Sequence, residues 1–294
     1  MPGSRSSNDN GRSLEYLITD ALSKVKGSKL TSRALADQAR DSVTVKGIDA
    51  NLRASFTTAA GLVAPWMLKE LGIRGGSTFE VDRHPDSAPG VADITIKDGS
   101  NSLGVSVKHN HDALSHSRPY SLADAMGFAG MAIDVDHRKR MEAATKRLRT
   151  AARGATTFPA LPAGVKLRLY QEACAECAAT INRVATNGVA VSKLFKFLVG
   201  SDFKKVIVET NHTSGALGSI TITDYTKIKP ATSVKASVDN RARSSSLVLT
   251  FNNGWRIDLR IKNAATKISS SGQVSLKFDA QRKAGVLPPV RTLF

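Results

Sequence analysis

Residues 91–118 read VADITIKDGSNSLGVSVKHNHDALSHSR. Two short apolar runs, Val91–Lys97 and Leu103–Lys108, flank the turn Asp98-Gly99-Ser100-Asn101-Ser102. Each run exposes one ionisable residue, Asp93 on the first and Lys108 on the second. Side chains alternate faces along a strand, so Asp93 and Thr95 share one face and Ala92, Ile94 and Ile96 the other. On the second strand Ser106 and Lys108 oppose Val105 and Val107. The pattern predicts a hairpin that brings Asp93, Ser106 and Lys108 to one edge of a sheet. A carboxylate that can hold Mg²⁺, beside a lysine that orients water and offsets developing charge, suits metal-dependent phosphodiester hydrolysis. The competing reading is a surface Asp and Lys on an exposed hairpin.

Composition points the same way. The 294 residues carry 42 Lys and Arg against 25 Asp and Glu, a net charge of +17. Solubility does not require such an excess, and it predicts a polyanionic partner bound with strong salt dependence. No apolar run approaches the ~20 residues that span a bilayer. The first residues, MPGSRSSNDNGRS, lack the apolar stretch of a secretory signal. The expectation is a cytoplasmic protein with no membrane partner. At 41% hydrophobic residues the chain can bury one large core or two smaller ones.

Outward from the hairpin, residues 1–12 are Ser/Asn/Gly-rich and expected to be disordered. Helical spacing marks Leu14–Lys24, Leu30–Ala39 and Asn51–Leu71, the last kinked or split at Pro65. A strand is expected at Ser77–Asp82. Downstream come a short helix at Leu122–Phe128 and a basic helix at Arg138–Arg153, which either follows a DNA backbone or is a solvated face. Lys166–Lys196 then reads as helix in two pieces around Asn187-Gly188. From Lys204 the runs KKVIVET, GSITITDY, SLVLTFNNGWRIDLRI and VSLKFDA are β-like. The connection Pro230–Ser246, rich in Ser, Lys and Arg, is expected to be a mobile loop on DNA phosphates. The fold class is α/β, a mixed sheet flanked by helices with a strand-rich C-terminal region. The expected division is 1–12 disordered, 13–203 helical region and core, and 204–294 strand-rich and DNA-contacting. Cys174 and Cys177, in CAEC within an alanine-rich helix, are expected to pack as small apolar groups. Trp66 and Trp255 are expected in the core.

An Asp on one strand followed by (D/E)-x-K on the next is the arrangement of the PD-(D/E)xK nucleases, and Asp93 with Ser106-Val107-Lys108 resembles it. The run Ser106–His111, SVKHNH, and the HSR at 116–118 resemble the HaeIII-type family of type II restriction endonucleases. Gly254–Asn263, GWRIDLRIKN, and Ser275–Gln281, SLKFDAQ, resemble its C-terminal part. The likeness covers two blocks, roughly residues 78–128 and 247–282. It implies a restriction endonuclease-like core and Mg²⁺-dependent cleavage of double-stranded DNA at a short palindrome, GGCC, with Asp93, Ser106 and Lys108 at the catalytic positions. A palindromic target suggests a homodimer.

Two positions depart from the pattern. Ala92 stands where Pro is usual, and Ser106 stands where a second acid is expected. Serine supplies no negative charge, so another carboxylate should join Asp93 as metal ligand. Asp124 and Glu80 are the first candidates and Glu70 the third. His109, Asn110, His111, His116 and Arg118 are expected to hydrogen-bond phosphates or base edges. A metal site of His109 and His111 is the lesser alternative, and three consecutive residues do not make an HNH nuclease motif. Ser106 also keeps open a non-catalytic, sequence-specific DNA-binding protein with a nuclease-like core.

Overall fold

The computed structural model describes residues 7–84, 92–112, 114, 117–151, 154–200, 203–268, 274–287 and 290–294. The chain opens with α1 (Ser7–Ser23), so residues 7–12 are helical rather than disordered. Leu14, Ile18 and Leu22 recur every four residues and are fully buried. After β1 (Ser28–Leu30) comes α2 (Ser32–Gly47), capped by Thr31, whose hydroxyl accepts the Ala34 N–H at 3.0 Å. Helix α3 (Ala50–Leu71) is capped by the Asp49 carboxylate and stopped by Gly72 at φ 77°. It runs through Pro65 without being split. Strands β2 (Phe79–Arg83), β3 (Ile94–Asp98) and β4 (Asn101–His109) follow, the last two joined by a tight turn with Gly99 at φ 57°.

The chain continues through α4 (Leu122–Ala125), α5 (Ala132–Ala151), α6 (Ala163–Asn182) and α7 (Gly188–Val199). The break between α6 and α7 falls at the Asn187-Gly188 expected from sequence. Strands β5 (Lys204–Thr210), β6 (Leu217–Asp224), β7 (Val234–Arg241), β8 (Ser244–Phe251), β9 (Arg256–Asn263), β10 (Leu276–Ala284) and β11 (Val290–Thr292) complete it. Pro230–Ser246 is therefore not a loop. It holds β7 and the start of β8, whose inward Val234 and Ala236 alternate with Lys and Ser and so escape a reading based on composition.

Two compact units share these elements. The first comprises Met1–Asp112, Ser201–Ile228 and Leu287–Phe294; the second comprises Ala113–Gly200 and Lys229–Val286. This partition replaces the linear division at residue 203, because β5, β6 and β11 return to the sheet begun by β1–β4. Unit 1 is a seven-stranded mixed sheet in the order β1-β2-β3-β4-β5-β6-β11, with β1–β2 and β4–β5 parallel and the other pairs antiparallel. Leu14, Ile18, Phe56, Val63 and Met67 from α1 and α3 pack with Val81, Ile94, Ile96, Val105, Val107, Val206 and Ile220 of the sheet. Each such side chain contributes ~1.5–3 kcal/mol on burial. Unit 2 is a four-stranded antiparallel sheet, β10-β9-β8-β7, against which α6 packs. In its core Phe195 meets the edges of Phe251 and Trp255 at 5.1 and 5.5 Å between ring centres. Trp66 and Trp255 are both buried.

Candidate active site

Strand β4 outruns β3, whose first residue Ile94 pairs with Val105. Beyond that pair the backbone N–H of Val107 meets a side chain instead of a strand. Asp93 supplies it: Oδ2 accepts from Val107 N at 2.7 Å, from Ser106 Oγ at 3.1 Å and from Lys108 Nζ at 3.0 Å. The Asp93 backbone is itself fixed on both sides, donating to Val105 O at 2.8 Å and accepting from His84 N at 3.1 Å. The three residues read from the hairpin thus converge on one carboxylate oxygen. Asp93 and Lys108 keep 25% and 20% of their side-chain surface open, while Ser106 is wholly buried. Ser106 therefore occupies the acid position as a hydrogen-bond donor to Asp93.

A second carboxylate comes from α1, and the sequence reading missed it. Glu15 lies close enough to Asp93 and Lys108 for both charges to act on it. Burial, and then repulsion from Asp93, pushes its carboxyl up to about 7, against the pull of Arg83 and Lys108. Arg83 Nη2 donates to Glu15 Oε2 at 2.7 Å and Arg83 Nη1 to Asp41 Oδ2 at 2.9 Å. Nothing local marks Glu15 in SLEYL; its role comes from a partner 68 residues away.

The acids favoured from sequence each have a basic partner. Glu80 is 51% exposed on β2 and stands 4.0 Å from Lys97. Glu70 pairs with Lys204. Asp124 belongs to unit 2, where Arg138 Nη2 donates to its Oδ2 at 2.7 Å. Among the described residues no group of three or more His, Cys, Asp and Glu could cage a metal ion. Mg²⁺ does not need one, because it is commonly held by one or two carboxylates with water and substrate phosphates. Asp93 and Glu15, two hard oxygen donors of which the first raises the cost of ionising the second, fit such a cation.

The basic and polar residues after Lys108 divide. His109 Nε2 bonds Thr210 Oγ1 at 2.8 Å and its ring meets Phe56 edge-on at 4.8 Å. Burial, with repulsion from His111 and His212, lowers it to about 4. Asn110, at φ 57°, accepts Thr210 N at 2.7 Å. Both residues therefore tie the end of β4 to β5. Arg118, in unit 2, donates to Ser275 Oγ at 2.8 Å, and His116 lies outside the described residues. On α5, Arg138, Arg140 and Arg147 are paired with Asp134, Asp136 and Glu172. Cys174 and Cys177 are free and buried, with burial driving the Cys174 thiol up to about 12 and Cys177 well above its usual value. Such thiols are inert packing groups.

On the same sheet face, Lys205 is the register partner of Ser106. It is buried, donates to Asp112 Oδ1 at 2.7 Å and lies 4.5 Å above the Tyr225 ring.

The model of the HaeIII restriction endonuclease family matches residues 79–286. The chain belongs to the HaeIII restriction endonuclease family. No curated protein and no solved structure matches it. Membership makes the mixed sheet of unit 1 a restriction endonuclease-like core, and it supports a type II restriction endonuclease, a nuclease of the hydrolase class whose implied partner is DNA. The match takes in β2, β3 and β4, and with them Asp93, Ser106 and Lys108, but begins after α1. Glu15 is thus located by the structure, outside the family-matched residues. No helix among the described residues is long and apolar enough to cross a membrane.

Proposed function

We propose that this restriction endonuclease hydrolyses double-stranded DNA with Mg²⁺, at a short palindrome that the family likeness suggests is GGCC. The convergence of Ser106, Val107 and Lys108 on Asp93 Oδ2 carries the reading. Asp93 and Glu15 hold the cation, which supplies positive charge against the scissile phosphate. Ser106 and the Val107 N–H fix the Asp93 carboxylate in one orientation. Lys108 brings its ammonium to the same oxygen, where it orients the attacking water and offsets charge accumulating at phosphorus. The water oxygen bonds to phosphorus, the bond from phosphorus to the 3′ oxygen breaks, and that oxygen leaves with a proton. The products are a 5′-phosphate and a 3′-hydroxyl.

Arg118, His111 and His116 are proposed to contact the duplex, whereas His109 and Asn110 spend their polar atoms on Thr210. A homodimer would match the two-fold symmetry of a palindrome. Purified protein should fragment unmethylated plasmid with Mg²⁺ and leave it intact with EDTA, and mapped fragment ends identify the site. Asp93→Ala and Lys108→Ala should each abolish cutting while DNA binding persists. Binding without cutting by the wild-type protein would favour the non-catalytic DNA-binding alternative.

A further inference from the structure

We propose that Arg83 is a positioning residue for the metal site, holding the Glu15 carboxylate so that it faces Asp93 as the second half of a cation-binding pair. The inference rests on the reading of Asp93 and Glu15 as metal ligands and adds what makes Glu15 one.

Arg83 is 2% exposed, and an arginine taken out of water must be matched by partners on every side of its fork. Asp41, also buried, takes Nη1 at 2.9 Å; Gln38 Oε1 lies 3.4 Å from the same nitrogen. Asp41 alone neutralises the guanidinium. Nη2 nevertheless reaches a second carboxylate, Glu15, at 2.7 Å. Arg40 grips Asp41 from its other side, with Nε and Nη2 at 2.7 and 2.8 Å. Charge therefore alternates from α2 through Arg40, Asp41 and Arg83 to Glu15, and the chain ends on a carboxylate within electrostatic reach of Asp93. With Arg83 matched by Asp41 and Lys108 bonded to Asp93, Glu15, Asp93 and Lys108 sum to one formal negative charge, which a divalent ion would more than balance.

The backbone shortens the lever. Arg83 pairs with Ile94 across the β2–β3 ladder, and the next residue, His84, bonds the Asp93 carbonyl. The residue that aims Glu15 and the residue that supplies Asp93 are thus held in one frame. A hydrophobic side chain at position 83 would pack without the cost of burying an ion. A buried fork shared between two acids, one of them at the site, is accounted for by the orientation it imposes. Partners that orient metal ligands in this way typically change metal affinity 10–100-fold when mutated.

The test is Mn²⁺ binding to the intact protein without DNA, read by calorimetry, alongside urea unfolding. Wild type should bind, and Glu15→Gln should lose at least tenfold in affinity. Arg83→Lys, which keeps the charge but not the fork, should weaken Mn²⁺ about tenfold while remaining folded. Adding Arg83→Lys to Glu15→Gln should cost no further affinity, because Arg83 acts through Glu15. If Arg83→Lys lowers stability but binds Mn²⁺ like wild type, the positioning role is overturned and only a structural ion pair remains. If Glu15→Gln itself binds normally, it is the assignment of Glu15 as a ligand that fails. Should Arg83→Lys not fold, Arg83→Gln, which keeps a neutral donor but not the fork, carries the same test: Mn²⁺ affinity should fall about tenfold, and an unchanged value overturns the proposal.

Discussion

In unit 1 Arg83 lies buried between Asp41 and Glu15, whereas in unit 2 Arg138 lies 41% exposed between Asp134 and Asp124. Each arginine lies between two carboxylates, Asp and Glu in one case and two Asp in the other, and the hydrogen-bond lengths are nearly the same. What differs is water. Around Arg138 solvent screens the pair with Asp124, while Asp134 is buried but also accepts the Gly130 N–H at 3.0 Å; exposed ion pairs contribute ~0.2–1 kcal/mol. Around Arg83 each charge depends on its neighbours, so losing one is felt by the rest. A short list of distances would rank the two clusters equal. Burial separates them, and so does what stands beside them: Asp93 and Lys108 act on Glu15, while the carboxylates on Arg138 only fasten α4 to α5.

The sharpest way to break this contrast is activity. Glu15→Gln should lower cleavage at fixed Mg²⁺ by at least about a hundredfold, in line with loss of a metal ligand or its orientation. Asp124→Asn should leave cleavage within a few fold. The reverse result would return the second carboxylate to unit 2, and an effect of Glu80→Gln would move it to β2.

Stability gives the next largest difference. Arg83→Met leaves Asp41 to Arg40 alone and Glu15 without its arginine, and should destabilise by about 3 kcal/mol in urea melts. Arg138→Ala leaves the buried Asp134 its Gly130 N–H bond and should cost about 1–2 kcal/mol. Equal losses would mean that burial does not distinguish the two clusters.

The hairpin that places Asp93 and Lys108 was legible because period-two alternation and a Gly-Ser-Asn turn are local signals. The catalytic edge follows from them with no knowledge of the rest of the chain. Glu15 was not legible, since a single glutamate on an amphipathic helix looks like any solvated position until Arg83 is seen to hold it. The partner of His109 and Asn110 was not legible for a related reason: Thr210, which bonds both, lies 101 residues from His109 in sequence. The strands β7 and β8 escaped because serine, lysine and arginine on the outward positions hid an inward row of Val234, Ala236, Leu247 and Leu249. Contacts made at a distance, not weak local preference, account for each of these misses.

Titration sharpens the comparison within unit 1. His109 is lowered to about 4 from an ordinary 6.5, so between those values the unfolded chain binds more protons and stability rises with pH. The contribution is present in full above pH 6.5 and is lost as pH falls toward 4, at most about 3 kcal/mol. Glu15 has the opposite sign. Its carboxyl is raised to about 7 from 4.5, so the folded state binds more protons in that window and stability falls as pH rises through it. Urea melts from pH 4 to 8 should therefore show the upward slope removed by His109→Gln and the downward slope removed by Glu15→Gln.

The smallest expected effect concerns the basic helix. Arg147 already shares Glu172 with Arg168. Arg147→Gln should reduce the slope of log affinity against log salt by less than one unit, where a free phosphate contact would remove about one. A full unit would show that DNA displaces Glu172.

The sheet of unit 1 has a history in time as well as a shape. Its parallel neighbours β4 and β5 are separated by all of α4–α7. At synthesis rates of about 5–20 residues per second, the 94 residues between them take roughly 5–20 s to emerge. Through that interval Val105 and Val107 sit on an open edge, a template for a wrong strand. The hairpin bearing Asp93 and Lys108 can form early, but Thr210, which anchors His109 and Asn110, arrives only with β5. The hairpin thus precedes its own anchor: the growing chain carries Asp93 and Lys108 well before it has the strand that ties down the end of β4.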